Sequence, residues 1–404
     1  MFNALTGLGG GGQMDAATSA NSNAALYGIG SAAAFFSGSV CNILGPRLTL
    51  QLGTTAYPLL FGAYLAINIH PGAGAFVVTA GAILGVSSAF LWTAQGSLML
   101  AYATEAQKGT FIASPDRRAT VLEMAHMYVR RLCAWSAANI QKIGFLVLSL
   151  SSLAIPILMV DPGTVIRADG SRVVLKSHPS WRTEIANIWR TLRDDPAILL
   201  LFPMFFASNY FYIWQFNDYN SALFDIRARA LNNLVHWLAQ IFGSIAIGTM
   251  ILDNTSLKRR SRAYLGWGVL VVIAFGVHGW ATYTRASIPD TASKMDIYDE
   301  AFPAYCILMA SFGLFDALWQ TTVYWLLGAI SNDAGQLAIY VGFYKSIQSA
   351  GGAGAWRADA VGTSYMNMFA STWALSVAGL IFALPMIYVR VKDESSSLEA
   401  DKEI

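Results

Sequence analysis

Runs without a single charged side chain, each about as long as a membrane crossing, recur along this sequence. No Asp, Glu, Lys or Arg occurs between Asp15 and Arg47, from Leu48 to Thr104, or within 143–160, 196–217, 230–252, 263–284 and 360–389. A hydrocarbon core about 30 Å thick needs ~20 helical residues to cross it. The longest run is cut by "IHPGAG" at 69–74, where Pro and Gly punctuate a turn. The pattern predicts crossings at 22–44, 50–69, 75–103, 143–160, 196–217, 230–252, 263–284, 302–329, 334–356 and 366–389. The predicted class is an all-α, multi-pass integral membrane protein with about ten spans, whose surrounding lipid is its first partner.

Composition agrees. The chain is 55% hydrophobic and 12% charged, where soluble domains carry about 25% charged residues. A net charge of +2 with no basic, aromatic-laced patch gives no reason to expect nucleic acid as a partner. Cys41, Cys133 and Cys306 lack metal-ligand spacing and read as packing thiols. Neither a metal site nor a cofactor is predicted. "MFNALTGLGGGGQ" has no basic start and no apolar stretch of signal-peptide type. With no span before Asn21, the first half reads as lacking its opening helix.

Lys and Arg gather in cytoplasmic loops. In the second half this works without conflict. The 161–195 segment, with Arg167, Arg172, Lys176, Arg182, Arg190 and Arg193, lies inside; "LKRRSR" at 257–262 follows two crossings later, and the tail from Arg390 also falls inside. The first half breaks the count. Arg47 and the segment from Glu105 both face inside, yet only the 143–160 run separates them from the basic 161–195 loop. The stretch between carries Arg117, Arg118, Glu123, Arg130 and Arg131, each costing about 2.5–3.5 kcal/mol at mid-bilayer. Either a span is missing there, or 143–160 lies along the interface as an amphipathic segment.

Two ionisable residues stand where lipid is expected: Asp316 in one predicted span and Lys345 in the next. Such groups face the bundle interior, pair, or line a hydrated path. Helical spacing puts Asp316, Gln320 and Tyr324 on one face, and Lys345, Gln348 and Gly352 on a face of the following helix. These stripes predict a buried carboxylate–amine pair, either as structural glue or as part of a solute route. Gly351, Gly352 and Gly354 fit close helix packing or a hinge. Asn209 and Gln215 add polar groups to the 196–217 span, and Asp218 at its outer end is a gate group or a solvated cap. Gln95 stands almost alone in "LWTAQGSLML". His236 and His278, within spans, read as hydrogen-bonded core groups rather than proton relays. No nucleophile–base set, HExxH, CxxC or phosphate loop is present, so the chain is not read as an enzyme.

Several strings in chain order carry a resemblance: "GPRLTLQLGTTAYPL" at 45–59, "LWTAQG" at 91–96, "QFNDYN" at 215–220, "RARALNNLVHWLAQIFG" at 227–243 and "DALWQTTVYWLLGA" at 316–329, after the glycine-rich opening. Together they resemble the uncoordinated-ninety-three-like branch of the major facilitator superfamily, in its fungal form. The resemblance implies twelve spans in two six-helix halves, here with most of span one and a normal span five lacking. It implies an incomplete amino-terminal half at 1–160, a basic cytoplasmic loop at 161–195, a carboxy-terminal half at 196–389 and a disordered tail at 390–404. Arg47, and Asp253 with Arg259, Arg260 and Arg262, are similar to the charged loops that latch helix ends in the superfamily. The implied activity is passage of a small solute by alternating access, with or without a coupled ion. Some animal relatives are instead accessory partners of membrane proteins, which would make another membrane protein the partner.

Overall fold

The structure, a computed structural model, describes residues 16–104, 107–109, 146–158, 180–286, 294–331 and 333–393. The glycine-rich opening, the charged 111–141 stretch, most of the basic loop and the tail from 394 lie outside the described residues. Its long helices are α1 (Ala16–Leu44), α2 (Pro46–Thr54), α3 (Ala56–Ile69), α4 (Gly74–Tyr102), α5 (Trp181–Asp194), α6 (Phe202–Ile213), α7 (Ile226–Ile247), α8 (Arg259–Ala286), α9 (Phe302–Ile330), α10 (Ala334–Ala360) and α11 (Tyr365–Arg390). Eight spans among the described residues are long and apolar enough to cross a membrane: Thr18–Leu44, Pro46–Ile69, Gly74–Tyr102, Pro196–Ser221, Ile226–Leu252, Arg259–Thr284, Phe302–Ile330 and Tyr365–Arg390. Helix α10 has the same length but is more polar, carrying Gln336, Lys345, Gln348, Arg357 and Asp359.

The 143–160 run is corrected by the structure. Its described residues form two short helical pieces broken by a turn at Leu153 and Ala154 rather than one straight helix. Pro156 explains the break, because it has no N–H to give the Ser152 carbonyl and its ring crowds the preceding turn; Arg47 donates to the carbonyls of Pro156 (3.1 Å) and Ile157 just beyond it. The charge count had already made this run the weak span.

Local chemistry sets the boundaries. Gly45, at φ 79°, occupies the left-handed region that other residues avoid, and Pro46 opens α2 directly after it. Ser180, Asp225, Asp333 and Ser364 each accept a backbone N–H three residues on, capping α5, α7, α10 and α11. Outward positions are apolar: Phe242, Met250, Val272, Ile381 and Tyr388 are all more than 60% exposed. In water such a surface would aggregate; in lipid it is the expected exterior.

The two halves meet chiefly along α1 and α10. A Cβ on Gly38 would lie 2.4 Å from the Ala338 carbonyl oxygen, and one on Gly342 would lie 3.0 Å from that of Ala34. The Ser346 hydroxyl donates to the Ser31 carbonyl across the same seam at 2.8 Å. With no hydrophobic drive between helices in lipid, such backbone approach supplies the packing that holds them.

Candidate functional site

Asp316 sits at the middle of α9, fully buried. Its position follows from Gly313, one turn earlier, where a Cβ would lie 2.1 Å from the His236 carbonyl oxygen. The bare backbone lets α9 touch α7, and the contact brings the side chains of the next turn together. His236 Nε2 stands 3.1 Å from Asp316 Oδ2, both groups fully buried. Gln215 Nε2 donates to Asp316 Oδ1 at 3.2 Å. His236 Nε2 is also 3.0 Å from Gln240 Nε2, one helical turn on. Gln240 and Gln320 both donate to the Tyr212 hydroxyl, at 3.3 and 2.9 Å. The result is a polar cluster on α6, α7 and α9 with the π-helical turn Trp214–Ser221, all from one half of the molecule.

Lys345 is carried by the next helix, α10. Its ammonium donates to Gln348 Oε1 at 2.9 Å, and Gln348 Nε2 donates to the Tyr344 hydroxyl at 3.2 Å. The rings of Tyr344, Tyr324 and Trp92 lie 4.8, 5.3 and 5.5 Å from the nitrogen. A cation over aromatic faces is stabilised by their quadrupoles, more so when water is excluded. Trp92 belongs to α4 of the first half and the other rings to α9 and α10, so this cage straddles the junction of the halves. Gly96 permits the approach, since a Cβ there would lie 2.9 Å from Tyr324 Cε1 and 2.8 Å from Val341 Cγ1.

The sequence stripes therefore land on one surface, and further groups join the two charged residues there. Asp316 makes short contacts with Gln215 and His236, and Lys345 with Gln348 and aromatic rings. Gln320 and Tyr324, between the two on α9, join one cluster to the other. His236, expected as a hydrogen-bonded core group, is fully buried and meets the Asp316 carboxylate and Gln240; that the carboxylate is its neighbour was not read from the sequence. His278 fits the core reading too, with Nδ1 2.8 Å from the Ala274 carbonyl and its ring stacked on Trp373. Tyr212 shares a helical face with Gln215 in the sequence but reads there as an interfacial anchor, and Trp92 and Tyr344 escaped sequence reasoning because aromatics in span cores are common.

The remaining candidates separate. Gln95 is half-buried on α4, one turn from Trp92, and Asn209 is half-buried on α6. Asp218 is buried rather than solvated, which removes the cap alternative, while neighbouring Asn217 bonds Asp359 of α10 at 2.9 Å. Helix α10 runs unbroken through Gly351, Gly352 and Gly354. A Cβ on Gly351 would lie 2.1 Å from the Phe206 carbonyl oxygen and one on Gly352 3.0 Å from Tyr27 Cδ1, so these two serve close packing.

On the basic face, Asp253 Oδ1 accepts the Gly109 N–H at 2.7 Å, and Lys108 Nζ donates to the Gly328 carbonyl at 2.5 Å. Arg260 donates to Asp393 and to the Tyr388 carbonyl and lies over the Tyr388 ring. Arg262 donates to the Leu252 carbonyl and lies over Trp325, and Arg259 is buried beside them. These groups tie helix ends together and tie the segment after α4 to the second half.

The family model described as "Ion channel regulatory protein UNC-93" matches residues 11–113. An UNC93-like protein of Schizosaccharomyces pombe is 37% identical over 99% of this chain and 81% of its own length. UNC93-like protein 1 of Arabidopsis thaliana is 36% identical, covering 100% and 89%. Among solved structures, the Escherichia coli proton:xylose symporter XylE superposes with a TM-score of 0.64 at 11% identity, covering 96% of this chain and 90% of its own. The human organic anion transporter MFSD10 gives 0.58 at 12% identity, covering 94% and 87%. The likeness to these carriers is one of fold, the major-facilitator helical bundle; the protein is an integral, multi-pass membrane protein, and its chain belongs to the UNC-93-like family.

Proposed function

We propose that this protein moves a small solute across its membrane by alternating access, through a route lined by Asp316, Gln320, Tyr324, Lys345 and Gln348. The observation that carries the reading is a continuous polar stripe along α9 that leads from the buried Asp316–His236 contact to the Lys345 cage between the halves. A scaffold has no need to bury a carboxylate and an ammonium at mid-helix; each costs about 2.5–3.5 kcal/mol to insert. Gln95, Asn209, Gln215 and Asp218 lie on helices that border this stripe. In this reading the contacts of Lys108 with Gly328 and of Asp253 with Gly109 act as a latch on the basic face that parts when the route opens to that side.

Purified protein in vesicles, screened by exchange against a mixture of small metabolites, is expected to show uptake that Asp316→Asn abolishes without altering folding or yield. A second reading, a non-transporting regulator of a channel or carrier, is favoured by the family model's own description. It calls for no flux from the purified protein and for a stable membrane-protein partner that co-purifies.

A further inference from the structure

Helix α5 presents a surface that the transport route does not use. Ser180 caps it, and Glu184 and Ile188 are buried on its inner face. Glu184 accepts Asn42 Nδ2 at 2.9 Å, and its carbonyl accepts the Ser39 hydroxyl, which docks α5 against the end of α1. Further along, the Trp189 ring meets Phe35, centroids 6.3 Å apart. Helix α5 therefore runs antiparallel to α1, rising from its Leu44 end to a level ~13 Å inside it. At that level the neighbouring Phe36 is half exposed, as befits a span facing lipid. The chain then enters the next span at Pro196.

The outer face of α5 carries Trp181, Ile185 and Trp189, 52%, 45% and 64% exposed. They recur every four residues and form one stripe. By the same repeat, exposed Arg182 and Arg193 fall along its Trp189 edge, Arg190 one step further round, and Asp194 on the opposite side. Indole rings beside guanidinium groups at a membrane boundary match the chemistry of an anionic lipid surface: apolar faces for acyl chains, cations for phosphates.

We propose that α5 is an interfacial anchor that binds anionic phospholipid in the leaflet on the basic face, independently of whether the protein transports. The occupant is lipid rather than a second copy or another protein, because the stripe is continuous with two membrane spans and flanked by cations.

The test uses the full chain in nanodiscs. With acyl-brominated phosphatidylcholine, tryptophan quenching in the wild type is expected to exceed that in Trp181→Phe/Trp189→Phe by about the share of two rings among 12. In native mass spectra the wild type retains phosphatidylserine over phosphatidylcholine several-fold, Arg182→Gln/Arg190→Gln/Arg193→Gln loses that preference, and the matching Lys variant keeps it. All variants alter exposed positions and are checked for a monodisperse elution profile. Equal quenching in wild type and Trp variant would overturn the placement in lipid. An unchanged phosphatidylserine preference in the Gln variant would overturn the anionic selection. A dimer that the Trp substitutions dissociate would assign the stripe to a second copy instead.

Discussion

Asp316 and Lys345 are each stabilised by groups from other helices, and the difference between their surroundings decides what substitution does to them. Asp316 sits in a fully buried contact with His236 and accepts from Gln215. Removing the imidazole while keeping the acid strands a desolvated polar group, at about 3–5 kcal/mol when the group is charged. We expect His236→Leu to lower the melting temperature in detergent markedly, and Asp316→Asn/His236→Leu to recover part of the loss; an additive double variant would show that the two do not act together. Lys345 lies over three aromatic rings and donates to the Gln348 amide oxygen. Met fills the same volume and touches the same rings without a charge to desolvate. Lys345→Met should therefore leave thermal stability within about 1 kcal/mol of wild type while abolishing uptake. Loss of folded protein in that variant would mean that the ammonium is a structural strut.

At the level of the helix, backbone approach at glycine sets the geometry. Gly351 and Gly354 share α10 yet face different surroundings. A Cβ at Gly351 meets a backbone oxygen of α6 at 2.1 Å, whereas one at Gly354 meets only the tip of the Phe206 ring at 3.8 Å. Gly351→Ala should push α10 from α6 and cost roughly 1–3 kcal/mol or more. Gly354→Ala should be neutral or slightly stabilising, by about 0.5–1 kcal/mol, through helix propensity. Thermal denaturation of the two variants side by side checks the contrast. Gly313→Ala acts on the site itself, since α9 must retreat from His236 for the methyl group to fit. Its expected signature is lost uptake together with lost stability.

For the molecule as a whole, much of the architecture was legible because lipid imposes a length and a polarity on every span. Charge-free runs predicted the positions of the long helices, and the orientation count pointed to a span missing before 143–160 or to that run as an irregular crossing; its described residues, 146–158, form two short helical pieces. The polar stripes on α9 and α10 were legible too, since helical spacing alone places Asp316, Gln320 and Tyr324 together. Several of their neighbours were not. His236 lies two helices before Asp316 in the chain, and a single sequence does not say that α7 and α9 share a Gly313 contact. Trp92 is farther still, in the other half, and reaches Lys345 where Gly96 lets α4 approach α9 and α10. The amphipathic helix α5 was hidden for a related reason, because its arginines were read as loop charge rather than as one side of a helix.

Alternating access makes a demand at this scale that a static scaffold does not. Gln320 is half-buried at the centre of the stripe and bonds Tyr212. The decisive measurement places a single thiol there, Gln320→Cys with Cys41, Cys133 and Cys306 changed to Ser, and labels it with a membrane-impermeant maleimide from each side in turn. Labelling from both faces is the predicted result, faster from the basic face once Asp253→Ala releases the Gly109 contact. A thiol reachable from one face only, or from neither, with Asp253→Ala making no difference, would contradict a moving central route.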